Sequence, residues 1–221
     1  MMMSLFSVFD PVVFSLQLNW LSLLLIFLFF PFSYFYSSGM GLSVKKKFLF
    51  LVKMLFSDLG SNNHLGLSLM ATVTFFFLML ANLLGLFPFV FPFTSHPLCT
   101  LGWGIVLWMS FMLMGWLMNF SHSAAHLVPM GAPIFLAPIL VFIEIISHLI
   151  RPVTISIRLA ANIMAGHLIV GLLSSISSLS VSGLVISVFF QSVLMILEIS
   201  VAVIQGFVFS ILLILYALDF Y

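Results

Sequence analysis

IEIISHLIRPVTISIRLAANIMAGHL, Ile143 to Leu168, is strongly apolar yet holds Glu144, His148, Arg151, Arg158, Asn162 and His167. The whole chain has six Lys and Arg and five Asp and Glu, and Glu144, Arg151 and Arg158 are among them. A charge at membrane depth costs about 2.5–3.5 kcal/mol on insertion scales. Such groups face protein or water and usually mark an ion pathway. Snorkelling of the two arginines to the headgroups is the plain alternative. The long apolar run on each side of Arg158 weighs against it there.

Positions 144, 148, 151, 155, 158 and 162 recur at steps of three and four, so they fall on one helical stripe. Glu144, His148, Arg151, Arg158 and Asn162 share it, with Ile155 the apolar interruption. His167 lies nine residues past Arg158, about half a turn off the stripe at 3.6 residues per turn. It is expected to look into a different space. Pro152 removes a backbone donor and is expected to kink this helix.

Composition sets the class. The chain has 221 residues, 64% hydrophobic and only 5% charged, with 27 Phe and 14 Met. A soluble chain carries about 25% charged residues. An all-α membrane protein is expected: upright transmembrane helices, one interfacial amphipathic helix, and a hairpin of two long, steeply tilted membrane-embedded helices. The net charge of +1 says nothing about nucleic acid, and no basic patch with interleaved aromatics is present, so no nucleic-acid partner is expected. The single Cys99 excludes an internal disulfide and a Cys-rich metal or cluster site. MMMSLFSVFDP lacks a basic n-region, and the apolar run after it is too long for a signal peptide, so the first span is expected to stay.

One membrane domain is expected over residues 1–221. Residues 13–36 read as the first span and 44–58 as a helix lying in the interface. There Val44, Phe48, Leu51, Val52 and Leu55 recur at helical spacing beside Lys45, Lys46, Lys47 and Lys53. A plain charged loop is the alternative. All four lysines of the chain are in this segment. By the positive-inside rule the Lys45–Lys53 segment faces the matrix or cytoplasm, and the N-terminus the other side. Residues 65–90, with Asn82 inside, and 98–120 are further spans. Asn82 reads equally as helix-packing glue and as a functional group. Trp103 and Trp116 suit the two interfaces. His122 and His126 are four apart, as a metal pair on a helix would be. No carboxylate or Cys lies near them, so no metal site is expected. His64 and His96 fall in loops and support no inference.

The last two apolar arms, 134–174 and 183–218, are separated by a patch rich in serine. If helical, each is more than about 50 Å long, well beyond the thickness of a membrane. Either each arm is broken in two or both lie steeply tilted, and the polar stripes favour a tilted hairpin. On the last arm Gln191, Glu198 and Gln205 are seven apart and Asp219 is fourteen further on. Heptad spacing keeps them near one face. One antiparallel register, turning near Ser182, pairs Arg158 with Gln205, His167 with Glu198 and Glu144 with Asp219. A continuous polar seam is expected along the hairpin.

These residues also match a family. The chain resembles subunit a of the F-type ATP synthase, in its mitochondrial form. RLAANIMAGHL (158–168) carries most of the likeness, with HLVPMGAP (126–133), IEIIS (143–147), RP (151–152), LEISVAVIQ (197–205) and NLLGLFP (82–88) in the same order. His167, where bacterial relatives usually have an acidic residue, looks mitochondrial. The resemblance implies a proton-conducting stator subunit in the mitochondrial inner membrane. Its partners would be the c-ring, the peripheral stalk and other membrane subunits, and lipid such as cardiolipin. It implies that Arg158 faces the ring carboxylates and separates two half-channels. His167 and Glu198 resemble the intake relay on the intermembrane-space side. Gln205 and Asn162 resemble polar neighbours of Arg158, and Glu144 and Asp219 resemble acidic groups of the matrix-side exit. Arg151 sits where relatives vary in charge, and His148 belongs to no family pattern. No cofactor is implied.

Two other classes compete. A redox subunit would need paired histidines, yet His148 and His167 are nineteen apart and off a shared face. A secondary transporter would show internal repeats, and none is convincing. No phosphate-binding loop is present, so this chain alone makes no ATP.

Overall fold

The computed structural model describes residues 5–12, 17–29, 40–59, 65–87, 90–118, 120–128, 135–177 and 181–220. The described residues form seven α-helices and no strand. The helices are α1 (Ser22–Phe29), α2 (Met40–Leu59), α3 (Leu65–Gly85), α4 (Pro97–Met118), α5 (Phe120–His126), α6 (Ala137–Ser177) and α7 (Val181–Phe220). Short 3-10 turns lie at Leu5–Phe9, Leu18–Leu21 and Phe93–Ser95. α3, α4, α6 and α7 are each long and apolar enough to cross a membrane. The protein is an all-α membrane protein.

α6 and α7 have 41 and 40 residues and are unbroken. Each is about 60 Å long at 1.5 Å per residue, twice a hydrocarbon core of about 30 Å. The two arms are therefore not each broken in two. In lipid the backbone must satisfy itself, and a continuous helix does so. Hydroxyls add to this: Ser147, Thr154, Ser174 and Ser200 each donate to a carbonyl of the preceding turn. α6 runs on through Pro152, which is buried, and the Ser156 hydroxyl donates to the Pro152 carbonyl at 2.7 Å.

Close backbone approaches hold the bundle. A Cβ at Gly104 of α4 would overlap the Ser156 Oγ of α6. A Cβ at Gly206 of α7 would lie 3.3 Å from the Met79 backbone nitrogen of α3. With little hydrophobic drive between helices in lipid, such small-residue contacts supply the packing. Leu78 of α3, Leu159 of α6, and Phe209 and Leu213 of α7 form the central cluster. Asn82 is 1% exposed, and its amide donates to the Ala202 carbonyl of α7 at 3.5 Å. That contact joins α3 to α7, the packing role of the two open for this residue.

α2 starts at Met40, earlier than the expected 44–58 segment. Its Val52 and Phe56 bury against Ala71, Phe75 and Phe76 of α3 and Ile214 of α7. Phe50, Leu51, Met54 and Leu55 stay exposed, as do Lys46, Lys47 and Lys53. An apolar stripe flanked by lysines suits a helix at a membrane surface. The expected 65–90 span is helical only to Gly85, because Leu86 and Phe87 turn back onto the carbonyls of Leu83 and Leu84. The 13–36 span lies partly outside the described residues. Of it, Leu18–Leu21 and α1 are described, and Ile26 packs with Ala81, Phe91 and Phe93.

Candidate functional site

The buried face of α6 is Pro152, Ser156, Leu159, Ala160, Ile163 and Gly166. Arg158 lies off this face and is exposed at the side of the chain. It makes no ion pair among the described residues. Its exposed neighbours one and two turns on are Ala161 and Ala165. A cation on an apolar helix, flanked by short side chains, is open to a partner that comes close to the backbone. Asn162, four residues on, is half-buried.

Towards the C-terminal half of α6, Gly166 meets Glu198 of α7. A Cβ at Gly166 would lie only 2.7 Å from the Glu198 carboxyl carbon. Only glycine admits the carboxylate here. Glu198 opens into a cavity of about 190 Å³, lined also by Leu86, Asn162, Leu194 and Val201. A cavity of this size has room for several waters, each of which takes about 30 Å³ of liquid volume. Glu198 Oε1 is buried and has no hydrogen-bond partner among the described residues. The cavity thus joins the Glu198 carboxylate to Asn162, one turn from Arg158.

His167 is at the level of Glu198 but turns away from it. Its ring hydrogen-bonds the Gly85 backbone at the end of α3. Phe9 of the N-terminal turn packs edge-on to it, with centroids 6.2 Å apart. The Phe9 carbonyl is 3.1 Å from His96 Nε2, and His96 packs on Trp20 and Phe91. Asn19 donates to the Asp10 carbonyl at 2.9 Å. The N-terminal turn is therefore pinned over His167 by residues of the Leu18–Leu21 turn and of the chain before α4. His167 Nε2 is buried and has no hydrogen-bond partner among the described residues. No hydrogen bond joins it to Glu198 among the described residues, so the expected pair shares a level and not a contact.

A second polar group lies towards the other end of α6. His148 Nε2 is 3.3 Å from Glu144 Oε1, and Arg151 Nη2 is 3.9 Å from the same oxygen. The Arg151 guanidinium sits over the Tyr216 ring of α7 at 5.3 Å, a cation–π contact that ties the cluster to α7. Arg158 stands between the two groups, about 10 Å along the helix from Arg151 and about 13 Å from His167 at 1.5 Å per residue.

The expected site residues therefore divide. Glu198 and Asn162 share a cavity with His167 close by, and Glu144 joins His148 and Arg151, while Arg158 stays apart from both. Gln205 is half-buried on α7. The side chains of Asp219, His122 and His126, and all of His64, lie outside the described residues. Sequence reasoning missed Gly166, Phe9, His96 and Tyr216. Gly166 carried a signal, since a glycine beside His167 in the middle of an apolar helix implies a close neighbour. Phe9 and His96 carried none, because they meet across 87 residues.

Four helices long and apolar enough to cross a membrane carry, among the described residues, two separate polar groups with an outward cation between them, an arrangement that suits an ion-conducting membrane subunit. The family model described as ATP synthase A chain matches residues 12–217. ATP synthase subunit a of Aedes aegypti is 43% identical over 98% of this chain and 98% of the relative. The same subunit of Artemia franciscana is 42% identical over 98% of this chain and 99% of the relative. That of Locusta migratoria is 42% identical over the full length of both. The chain belongs to the ATP synthase A chain family.

Proposed function

We propose that this chain forms two offset half-channels against the rotating c-ring in the mitochondrial inner membrane, with Arg158 separating them. The carrying observation is that Arg158 is exposed, without an ion pair among the described residues, between two polar groups on the same helix. Its guanidinium is charged at any working pH. A ring carboxylate arriving opposite it is favoured in its ionised form and releases its proton. The same fixed charge repels protons and prevents a direct leak between the channels.

Protons reach the ring from the intermembrane space past His167 and through the Glu198 cavity, with Asn162 and Gln205 as polar neighbours of Arg158. An imidazole titrates near neutral pH and passes protons readily to a carboxylate. Protons leave for the matrix past Glu144 and Asp219. The N-terminus then lies on the intermembrane-space side and Lys45–Lys53 on the matrix side, where the lysines suit anionic lipid such as cardiolipin. One charge crossing 100 mV is worth about 2.3 kcal/mol, which gives rotation its direction. The peripheral stalk and neighbouring membrane subunits hold the chain still against the ring.

Arg158→Ala in the whole complex tests this. ATP-driven pumping is expected to vanish while passive proton flux persists or rises. Coupled pumping at a near-normal rate would overturn the reading.

A further inference from the structure

The reading above gives Glu144 a role and leaves His148, its nearest partner, without one. We infer that His148 is a proton-accepting group of the matrix-side path, working as a pair with Glu144 and positioned by Arg151. The inference rests on the two-channel reading of the preceding section.

Three observations carry it. His148 and Arg151 converge on one oxygen, Glu144 Oε1, at 3.3 Å and 3.9 Å. A carboxylate oxygen only accepts when ionised, so the imidazole nitrogen facing it, Nε2, bears the hydrogen in the neutral ring. The Nδ1 lone pair then faces away from Glu144. Exposure is graded as well: the His148 side chain is 15% exposed and that of Glu144 39%. His148 also lies four residues nearer Arg158 on α6 than Glu144 does, about 6 Å at 1.5 Å per residue, so a proton leaving the c-ring meets the imidazole before the carboxylate. Finally, the α6 members of the cluster have different capacities. Arg151 is permanently charged and cannot carry a proton. The imidazole is the group of this trio that ordinarily titrates close to neutrality.

The other ionisable groups near His148 are few. α7 contributes Tyr216, which holds Arg151, and Asp219, whose side chain lies outside the described residues. α4 contains no Asp, Glu, Lys, Arg or His. α5 carries His122 and His126, whose side chains also lie outside the described residues.

The step balances without any co-reactant. A proton arriving from the ring carboxylate forms an N–H bond at His148 Nδ1. The Nε2 proton passes to the Glu144 carboxylate and on to matrix water, which leaves the ring neutral with its hydrogen on Nδ1. Ring reorientation restores the starting tautomer. While both nitrogens carry hydrogen, the trio has a net charge of +1, with Arg151 sharing the same carboxylate oxygen. That repulsion favours outward release.

The test uses inverted inner-membrane vesicles, whose outer medium contacts the matrix face, with the soluble sector in place for pumping and removed for passive flux. Passive proton flux after removal of the soluble sector is followed against outer pH at fixed inner pH. This is done for His148→Gln, His148→Leu and the unaltered chain. The unaltered chain is expected to show an inflection near neutral outer pH. Both variants are expected to lose it and to conduct at least about ten times more slowly, a modest share of what a positioned acid–base group supplies. Dependence on inner pH is expected to stay unchanged, which a merely structural role for His148 would not produce. His148→Gln keeps an amide donor towards Glu144, so it answers even where the Leu variant fails to assemble. A Gln variant with the unaltered profile overturns the inference. Arg158→Ala in the same membranes separates the two levels. If it uncouples pumping while His148→Gln behaves normally, only the His148 role falls. If it leaves pumping coupled, the two-channel reading falls and the inference with it.

Discussion

Gly166→Ala isolates the contact between α6 and Glu198. The added Cβ would overlap Glu198 Oε1 and sit 2.7 Å from the Glu198 carboxyl carbon, so the carboxylate must withdraw by about 1 Å to reach an ordinary contact distance. It has somewhere to go, because the adjoining cavity is about 190 Å³. The fold therefore loses little. An off-rotamer glutamate costs about 0.5–1.5 kcal/mol, and replacing a mid-helix glycine by alanine returns about 0.5–1 kcal/mol. Function is more sensitive, since misplacing a reacting group by about 1 Å can cost about a hundred-fold. The expected result is normal assembly with proton conduction reduced at least about ten-fold. The assay is passive proton flux and gradient-driven ATP synthesis in membranes with matched amounts of complex. Glu198→Asp, one methylene shorter, clears the new Cβ. In the double variant the combined loss should be smaller than the product of the single losses. Gly166→Ala with unaltered flux, or a double variant whose losses multiply, would refute the assignment of Glu198 to the path through this contact.

Two further predictions concern the scaffold. Phe56→Ala empties a fully buried site between α2, α3 and α7 and should destabilise the chain by about 3–5 kcal/mol; loss of assembled subunit at raised temperature, measured on native gels, checks it. Gly104→Val places a branched side chain where a single Cβ already overlaps Ser156 Oγ and should separate α4 from α6. Gly104→Val/Ser156→Gly should recover more assembled complex than Gly104→Val alone.

The legible part of the fold is what composition and period determine. Long apolar arms, with polar residues three or four apart on the first and seven apart on the second, favoured α6 and α7 over four shorter helices, because in lipid the backbone has few other choices. The convergence of Glu144 with His148 and Arg151 was visible as spacing on one helix. Pairing across helices was readable only to the nearest turn: register placed His167 beside Glu198, but Gly85 and Phe9 turn the imidazole elsewhere. The Arg151–Tyr216 contact depends on a side chain reaching across to α7, which no period encodes. The end of α3 at Gly85 was hidden because Leu86 and Phe87 are as apolar as the helix before them. The N-terminal turn over His167 was hidden for a different reason, since a contact across 158 residues leaves no local pattern.

That turn also has a consequence for how the subunit is made. Phe9 leaves the ribosome early, while His96, which holds its carbonyl, comes 87 residues later. At synthesis rates of about 5–20 residues per second, the wait is about 4–17 s. His167, the ring it covers, emerges later still. The N-terminal segment therefore cannot take its seat as it enters the membrane. Phe9 can pack on His167 only once α6 has emerged, so this contact forms late in insertion, and a chain halted before α6 has no imidazole for Phe9 to cover.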